Sequence, residues 1–243
     1  MNITISPRVP FYILLTIILI IMVFHALSLG TYYANGEDST TFTVLFDVGI
    51  EQNVPTHFSA LQLALAGLVA AVVARQSWEE GDRLHGYWAG LFVLFTFLSF
   101  DESCEIHELF SDYMEHWVTP TGYLYYLWVL PYGAAVMVIG AVYLRFLIRL
   151  PRATRRRLLL AAWIFLSGAI GVEMVGAAER EASGEYSLRF CILYSAEEFM
   201  EMLGVALFID ALVCHLSGAQ RALSVTLTPE PAVVASKTPE QLP

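Results

Sequence analysis

Residues 91–117 read LFVLFTFLSFDESCEIHELFSDYMEHW, an apolar run followed at once by an acidic run that contains no Lys or Arg. From Asp101 onward this stretch carries Asp101, Glu102, Glu105, Glu108, Asp112 and Glu115, together with Cys104, His107 and His116. An apolar helix that ends this way carries carboxylates into the hydrocarbon or to its edge. A single acid there costs about 2.5–3.5 kcal/mol on insertion scales, so these acids must face the inside of a bundle rather than lipid. The stretch therefore predicts an all-α, polytopic membrane helical bundle with a buried acidic site.

The rest of the composition agrees. The chain has 243 residues, of which 57% are hydrophobic and only 15% charged, and its mean hydropathy is +0.60, values that make the bilayer the expected solvent. A formal charge of −10 and the lack of a basic groove interleaved with aromatics exclude nucleic acid as a partner. No P-loop or dinucleotide glycine pattern occurs, so no nucleotide cofactor is expected. There is no G-x-S-x-G, and Ser103, Ser167 and Ser195 have no His partner that the sequence identifies. Cys104, Cys191 and Cys214 form neither a zinc-ribbon pattern nor a disulfide framework.

A helix rising about 1.5 Å per residue crosses the hydrocarbon core in about 20 residues. On that measure about six transmembrane helices are expected, at residues 10–30, 55–75, 86–112, 123–150, 158–178 and 188–216, forming a single domain over residues 1–216. The first could also be a signal peptide; it is read as an uncleaved span, since Arg8 alone precedes it and no clear small-residue cleavage site follows. The third is expected to run unbroken through the acidic stretch, because no Pro or Gly interrupts it before Pro120. Pro131 predicts a kink in the fourth. Residues 217–243, with Pro229, Pro231, Pro239 and Pro243, are expected to form a disordered cytoplasmic tail. With the N-terminus inside, Arg8, Arg75, Arg83, Arg145, Arg149, Arg152, Arg155, Arg156, Arg157, Arg221 and Lys237 are all cytoplasmic, and only Arg180 and Arg189 are outside. That asymmetry predicts that both termini are cytoplasmic.

Orientation gives each polar residue a depth. Asp101 and Glu102 lie about 22–24 Å along the third span, and Glu173 reaches a similar level in the fifth. Glu197, Glu198 and Glu201 lie about 13–20 Å below the outer end of the sixth. His25 and His57 sit near the outer ends of the first two. On a continuous third helix, Asp101, Glu105, Glu108 and Asp112 form one stripe, with His107 on another side. No Lys or Arg is expected at this depth, which leaves protonation, hydrogen bonding or bound cations to offset the charge.

The chemistry that suits such a layer is a metal site. Its ligand pool is Glu102, Glu105, His107, Glu108, Glu173, Glu198 and Glu201, joined by one or more of His25, His57 and His107 as imidazole ligands. Oxygen-rich ligation with some imidazole fits a divalent metal, iron, manganese or zinc, and Cys104 would favour zinc if it took part. Two other readings are open: a hydrogen-bonded polar core that fixes helix packing, and a proton or cation pathway with Gln62 and Asp210 as its inner steps.

The segment FLSFDESCEIHE, with the later Glu197-Glu198-x-x-Glu201, resembles a group of uncharacterised bacterial multi-pass membrane proteins. That resemblance implies an inner-membrane location. Ferritin-like di-iron bundles are similar only in their carboxylate-rich helices, because Glu-x-x-His is missing here and the i,i+3 pairs Glu102/Glu105, Glu105/Glu108 and Glu198/Glu201 are all carboxylates. The expected function is metal-dependent, an oxidoreductase or hydrolase acting on a lipid-like or membrane-soluble substrate, with membrane lipid as its surroundings. The alternatives are a proton- or cation-coupled transporter or channel subunit, and a non-catalytic assembly subunit.

Overall fold

The computed structural model describes residues 2–4, 6–36, 38–185, 187–219 and 224–226. Its helices are α1 (Val9–Ala34), α2 (Thr41–Phe46), α3 (Val54–Glu79), α4 (His85–Cys104), α5 (Ile106–Met114), α6 (Val129–Arg149), α7 (Arg152–Leu166), α8 (Glu173–Ser183) and α9 (Leu188–Ala219). A π-helical segment, Ser167–Val172, joins α7 to α8. A 3-10 turn at Gly122–Leu124 and a short antiparallel pairing of Asn2–Thr4 with Ser224–Thr226 are the remaining regular elements among the described residues. Of residues 217–243, expected to be a disordered tail, 217–219 continue α9 and 224–226 form the second strand, and the others lie outside the described residues.

Five helical runs are long and apolar enough to cross a membrane: Val9–Ala34, Val54–Glu79, Val129–Arg149, Arg152–Ser183 and Leu188–Gly218. Their outward faces are apolar. On α6, Met137 is 77% exposed, and Val138, Val142, Leu144 and Ile148 are exposed beside it. A patch of this kind suits contact with lipid.

Local chemistry sets where the helices start. Asn53 caps α3 by accepting from the Thr56 N–H, and Pro55 occupies its first turn, where a missing amide proton costs nothing. Gly81, at φ 71°, turns the chain from α3 into α4. The two helices then pack along their length, and the Ser99 hydroxyl donates to the Ala60 carbonyl at 2.8 Å. Trp88, Phe146, Ile18, Ala66, Ala70, Ile209 and Leu212 fill the core beside the basic end of the bundle. Trp88 meets the Phe146 ring edge-on, with ring centres 4.7 Å apart. That half of the molecule is packed and apolar.

Helices α7 and α9 approach each other backbone to backbone. A Cβ placed on Gly204 would lie 2.7 Å from the Phe165 Cβ and 2.8 Å from the Phe165 backbone nitrogen, so the backbones touch only because no side chain is present. Gly168 repeats the device one level up, where a Cβ would lie 3.0 Å from the Glu197 carbonyl oxygen. Small residues at such crossings are what let membrane helices approach closely.

Several expectations are corrected. The third span is not one helix. It ends at Cys104, Glu105 takes a left-handed conformation at φ 54°, and α5 begins afresh at Ile106. The side chain of Asp101 is the cause, because its Oδ1 accepts the His107 N–H at 2.8 Å and draws that amide out of the helical ladder. The continuous stripe through Asp101, Glu105, Glu108 and Asp112 is therefore broken. The fourth span starts later than expected, at Val129, so Pro131 falls in the first turn of α6, where it is tolerated. The basic run from Arg152 is not a loop but the first turns of α7. The polar segment after the first span contains α2, closed by a capping box between Thr40 and Thr43.

Replacing Gly204 by Leu forces α7 away from α9 and is expected to destabilise the protein by about 1–3 kcal/mol, the range for an overpacked core. Gly140→Ala, at a position with nothing within 4 Å of the added carbon, should leave stability unchanged or slightly raised. Thermal unfolding of the detergent-solubilised variants checks both.

Candidate metal centre

At the end of the bundle opposite the apolar core, a cavity of about 610 Å³ opens between the segment after α2, the α4/α5 junction, α8 and α9. Eleven carboxylates line it: Glu51, Asp101, Glu102, Glu105, Glu108, Asp112, Glu173, Glu185, Glu197, Glu198 and Glu201. All seven residues of the expected ligand pool are on its walls. Among the described lining residues Arg180 is the one arginine, and there is no lysine.

One part of the wall has the geometry of a ligand set. Glu51, His107 and Glu108 each offer an atom, and these atoms lie within 4.8 Å of one another. The His107 Nε2 is 3.5 Å from Glu51 Oε1 and 3.9 Å from Glu108 Oε1. Donors this close can converge on an ion at bond lengths of about 2.0–2.2 Å after small side-chain rotations. The opposite nitrogen, Nδ1, lies 3.5 Å from Asp101 Oδ1, and that oxygen also accepts the Tyr132 hydroxyl at 2.8 Å. A carboxylate behind the imidazole fixes the ring and directs Nε2 outward, as in metal sites where a histidine is held by an acid. Trp128 supports the ring edge-on, with centres 5.4 Å apart.

Two strained residues set this geometry. Glu105 (φ 54°) and Gln52 (φ 58°) are the non-glycine residues with positive φ among the described residues, and they touch, with Gln52 Nε2 donating to Glu105 Oε1 at 2.6 Å. One lies next to Glu51 and the other two residues before His107. Strain of this sort persists only where the surroundings impose it. A third irregularity is the π-helical segment Ser167–Val172, which ends at Glu173 and rotates that residue relative to a regular continuation of α7.

Helix α5 lies past the end of α4 and outside the membrane-length segments. There burial pulls the His107 pKa down, but hydrogen bonds to Asp101 and Glu51 more than reverse it and push it up to about 11. The same two carboxylates thus favour the protonated ring. Glu108 is raised above the ordinary carboxylate range, chiefly by burial.

Of the three histidines considered with the pool, His107 alone lines the cavity. His57 is exposed, with Nδ1 2.7 Å from the Asn53 carbonyl. His25 is buried and committed elsewhere: Val48 N–H donates to its Nδ1 at 3.2 Å, and its Nε2 lies 2.7 Å from Ser195 Oγ. Asp47 Oδ1 stands 3.4 Å from Nδ1, so Ser195, His25 and Asp47 are arranged in sequence. Yet the Ser195 hydroxyl donates to the Cys191 carbonyl, Nδ1 already accepts from Val48, and Ser195 is absent from the cavity wall. The trio is a clamp joining α1, the segment after α2, and α9. Cys104 is free and exposed.

Sequence reasoning missed Glu51, Tyr132 and Arg180. Glu51 sat in a loop whose return to the bundle no periodicity announces. Arg180, placed outside by the span count, reaches the cavity wall, donates to the Tyr126 hydroxyl at 2.6 Å and pairs with Glu185 at 3.3 Å.

An all-helical chain with five membrane-length apolar helices and an acidic vestibule at one end is the class of protein that fold and site define. The chain belongs to the family described as a domain of unknown function, DUF8692, whose model matches residues 12–216. No curated protein and no solved structure matches it.

Glu105→Gly removes the left-handed strain and is expected to leave folding stability unchanged or raised, whereas the β-branched Glu105→Val should lose about 1–3 kcal/mol. Thermal unfolding of both variants, side by side, reads the difference.

Proposed function

We propose that this is a six-span inner-membrane protein with both termini cytoplasmic, which binds a divalent metal in its outer vestibule and uses it on a small membrane-soluble substrate. The observation that carries the reading is the Glu51, His107 and Glu108 set, with Asp101 behind the imidazole. In this reading α4, 20 residues long, is the sixth span beside the five more apolar ones. At about 1.5 Å per residue it has the length for it.

Two carboxylates and one imidazole suit iron, manganese or zinc. Such an ion would supply Lewis acidity or an activated water for a hydrolysis, or, as iron or manganese, a redox centre that passes electrons from the substrate to an external oxidant such as dioxygen. The chain's own residues divide the remaining work. Glu51, His107 and Glu108 hold the ion. Glu102, Glu173, Glu198 and Glu201 lie deeper on the same wall as further ligands or as groups that exchange protons with substrate. Leu63, Leu98 and Phe165 give an apolar portion of the substrate a surface. A volume of about 610 Å³ exceeds what an ion needs and matches pockets that hold small organic molecules.

The relay reading has less support. Its inner steps would be Gln62 and Asp210, but Gln62 donates to the Met202 carbonyl and Asp210 pairs with Arg157 at 3.4 Å. Beyond them lies the apolar core around Trp88 and Phe146.

Elemental analysis of the detergent-purified protein should find iron, manganese or zinc near one equivalent, reduced about tenfold or more by His107→Ala or Glu108→Gln. Wild-type protein free of metal after both aerobic and anaerobic preparation would overturn the proposal. Glu198→Gln separates the roles of the deeper acids: metal retained with loss of turnover assigns Glu198 to proton exchange, and metal lost assigns it to ligation.

A further inference from the structure

Beside the acidic cavity lies a second void of about 10 Å³, lined by Ser59, Gln62, Leu63, Glu102, Phe165, Glu201, Met202 and Val205, of which Leu63, Glu102, Phe165 and Glu201 also line the cavity. A void of this size admits one water-sized sphere. Its polar wall comes from Ser59 and Gln62 of α3, Glu102 of α4 and Glu201 of α9, so three helices that are distant in sequence meet there.

Gln62 is 2% exposed. Its Nε2 donates to the Met202 backbone carbonyl at 3.0 Å. Since a carbonyl can only accept, the amide cannot be turned round, and the orientation of Gln62 is fixed by this bond. That leaves Oε1 buried and without a hydrogen-bond partner, on a residue that lines the void. Buried acceptors are nearly always satisfied, and each exception calls for an explanation.

The surroundings say what is missing. Glu102 and Glu201 bring carboxyl groups to the residues that line the void, and Ser59 a hydroxyl. All are acceptors that a cation would satisfy together with Gln62 Oε1, whereas Leu63, Phe165, Met202 and Val205 offer nothing to a second hydration shell. We infer that this void is a binding site for a monovalent cation of the sodium class, ligated by Gln62 Oε1, Glu102, Glu201 and the Ser59 hydroxyl. An all-oxygen set selects a hard cation over a transition metal. A magnesium ion gives up its waters reluctantly and keeps several of them, for which the void has no room. An organic ammonium is larger than the void. The ion would place a positive charge under the deepest acids of the vestibule, between α3, α4 and α9, with no Lys or Arg among the residues that enclose it.

This site shares no residue with the Glu51, His107 and Glu108 set, but it takes Glu102 and Glu201 from the deeper acids of the same wall, so the variants that test it leave those two acids in place. The test is thermal unfolding of the purified protein in detergent, titrated with NaCl against choline chloride at constant ionic strength, together with binding of radiolabelled sodium to the wild type. NaCl should raise the melting temperature saturably, as expected when a ligand binds the folded state alone, and Gln62→Leu should weaken the NaCl midpoint by about tenfold or more. His107→Ala should retain the full sodium response, so loss of the outer centre leaves this site detectable. If Gln62→Leu does not fold, sodium bound by the wild type and displaced by unlabelled NaCl but not by choline chloride sustains the proposal. Equal melting temperatures in the two salts, with no displaceable sodium bound, would overturn it and assign the void to a water molecule.

Discussion

Eleven carboxylates share one cavity with a single arginine, and the mutual repulsion of those acids in a partly buried space is the constraint on which the rest of the structure turns. A membrane helix has no reason to carry such groups unless neighbouring helices receive them. The architecture is accordingly divided. The basic end is packed with Trp88, Phe146, Ile209 and Leu212, while the acidic end is left hollow. Charge is absorbed in the hollow by His107, by hydroxyl donors such as Tyr132, and on the proposed readings by bound cations.

Bringing the acids together requires departures from regular helix, and each has a local cause. Gly204 and Gly168 let α7 and α9 touch, which sets Glu173 opposite Glu197 and Glu201. The π-helical segment turns Glu173 to that wall. Asp101 ends α4 by capturing the His107 amide, and the same carboxylate oxygen receives Tyr132. A single side chain thus breaks the helix, orients the imidazole and ties α4 to α6.

How much of this could be read from the chain follows from the range of each interaction. Apolar length and the Lys and Arg distribution are properties of contiguous segments, so the helices Val9–Ala34, Val54–Glu79 and Leu188–Ala219 fall close to the expected spans. The acids of the third, fifth and sixth spans were legible too, because depth follows from counting residues. The break at Glu105 was not, since it depends on Asp101 bonding an amide six residues on, and neither Gly nor Pro marks it. Glu51 was invisible for a different reason. Its position comes from a loop folded by Gly49 lying against the Tyr194 ring, a contact between residues 145 apart, as the numbering shows. The clamp of His25 with Ser195 is hidden in the same way, by 170 residues of separation.

The contact between Gln52 and Glu105 has a consequence of a mechanical kind. Both residues are in left-handed conformations, Glu105 where Asp101 ends α4, and one amide-to-carboxylate bond joins them. The loop bearing Glu51 and the junction bearing His107 are therefore two leaves on a common latch. A displacement of either leaf pulls on the other through that bond, so the two walls of the rim are mechanically joined.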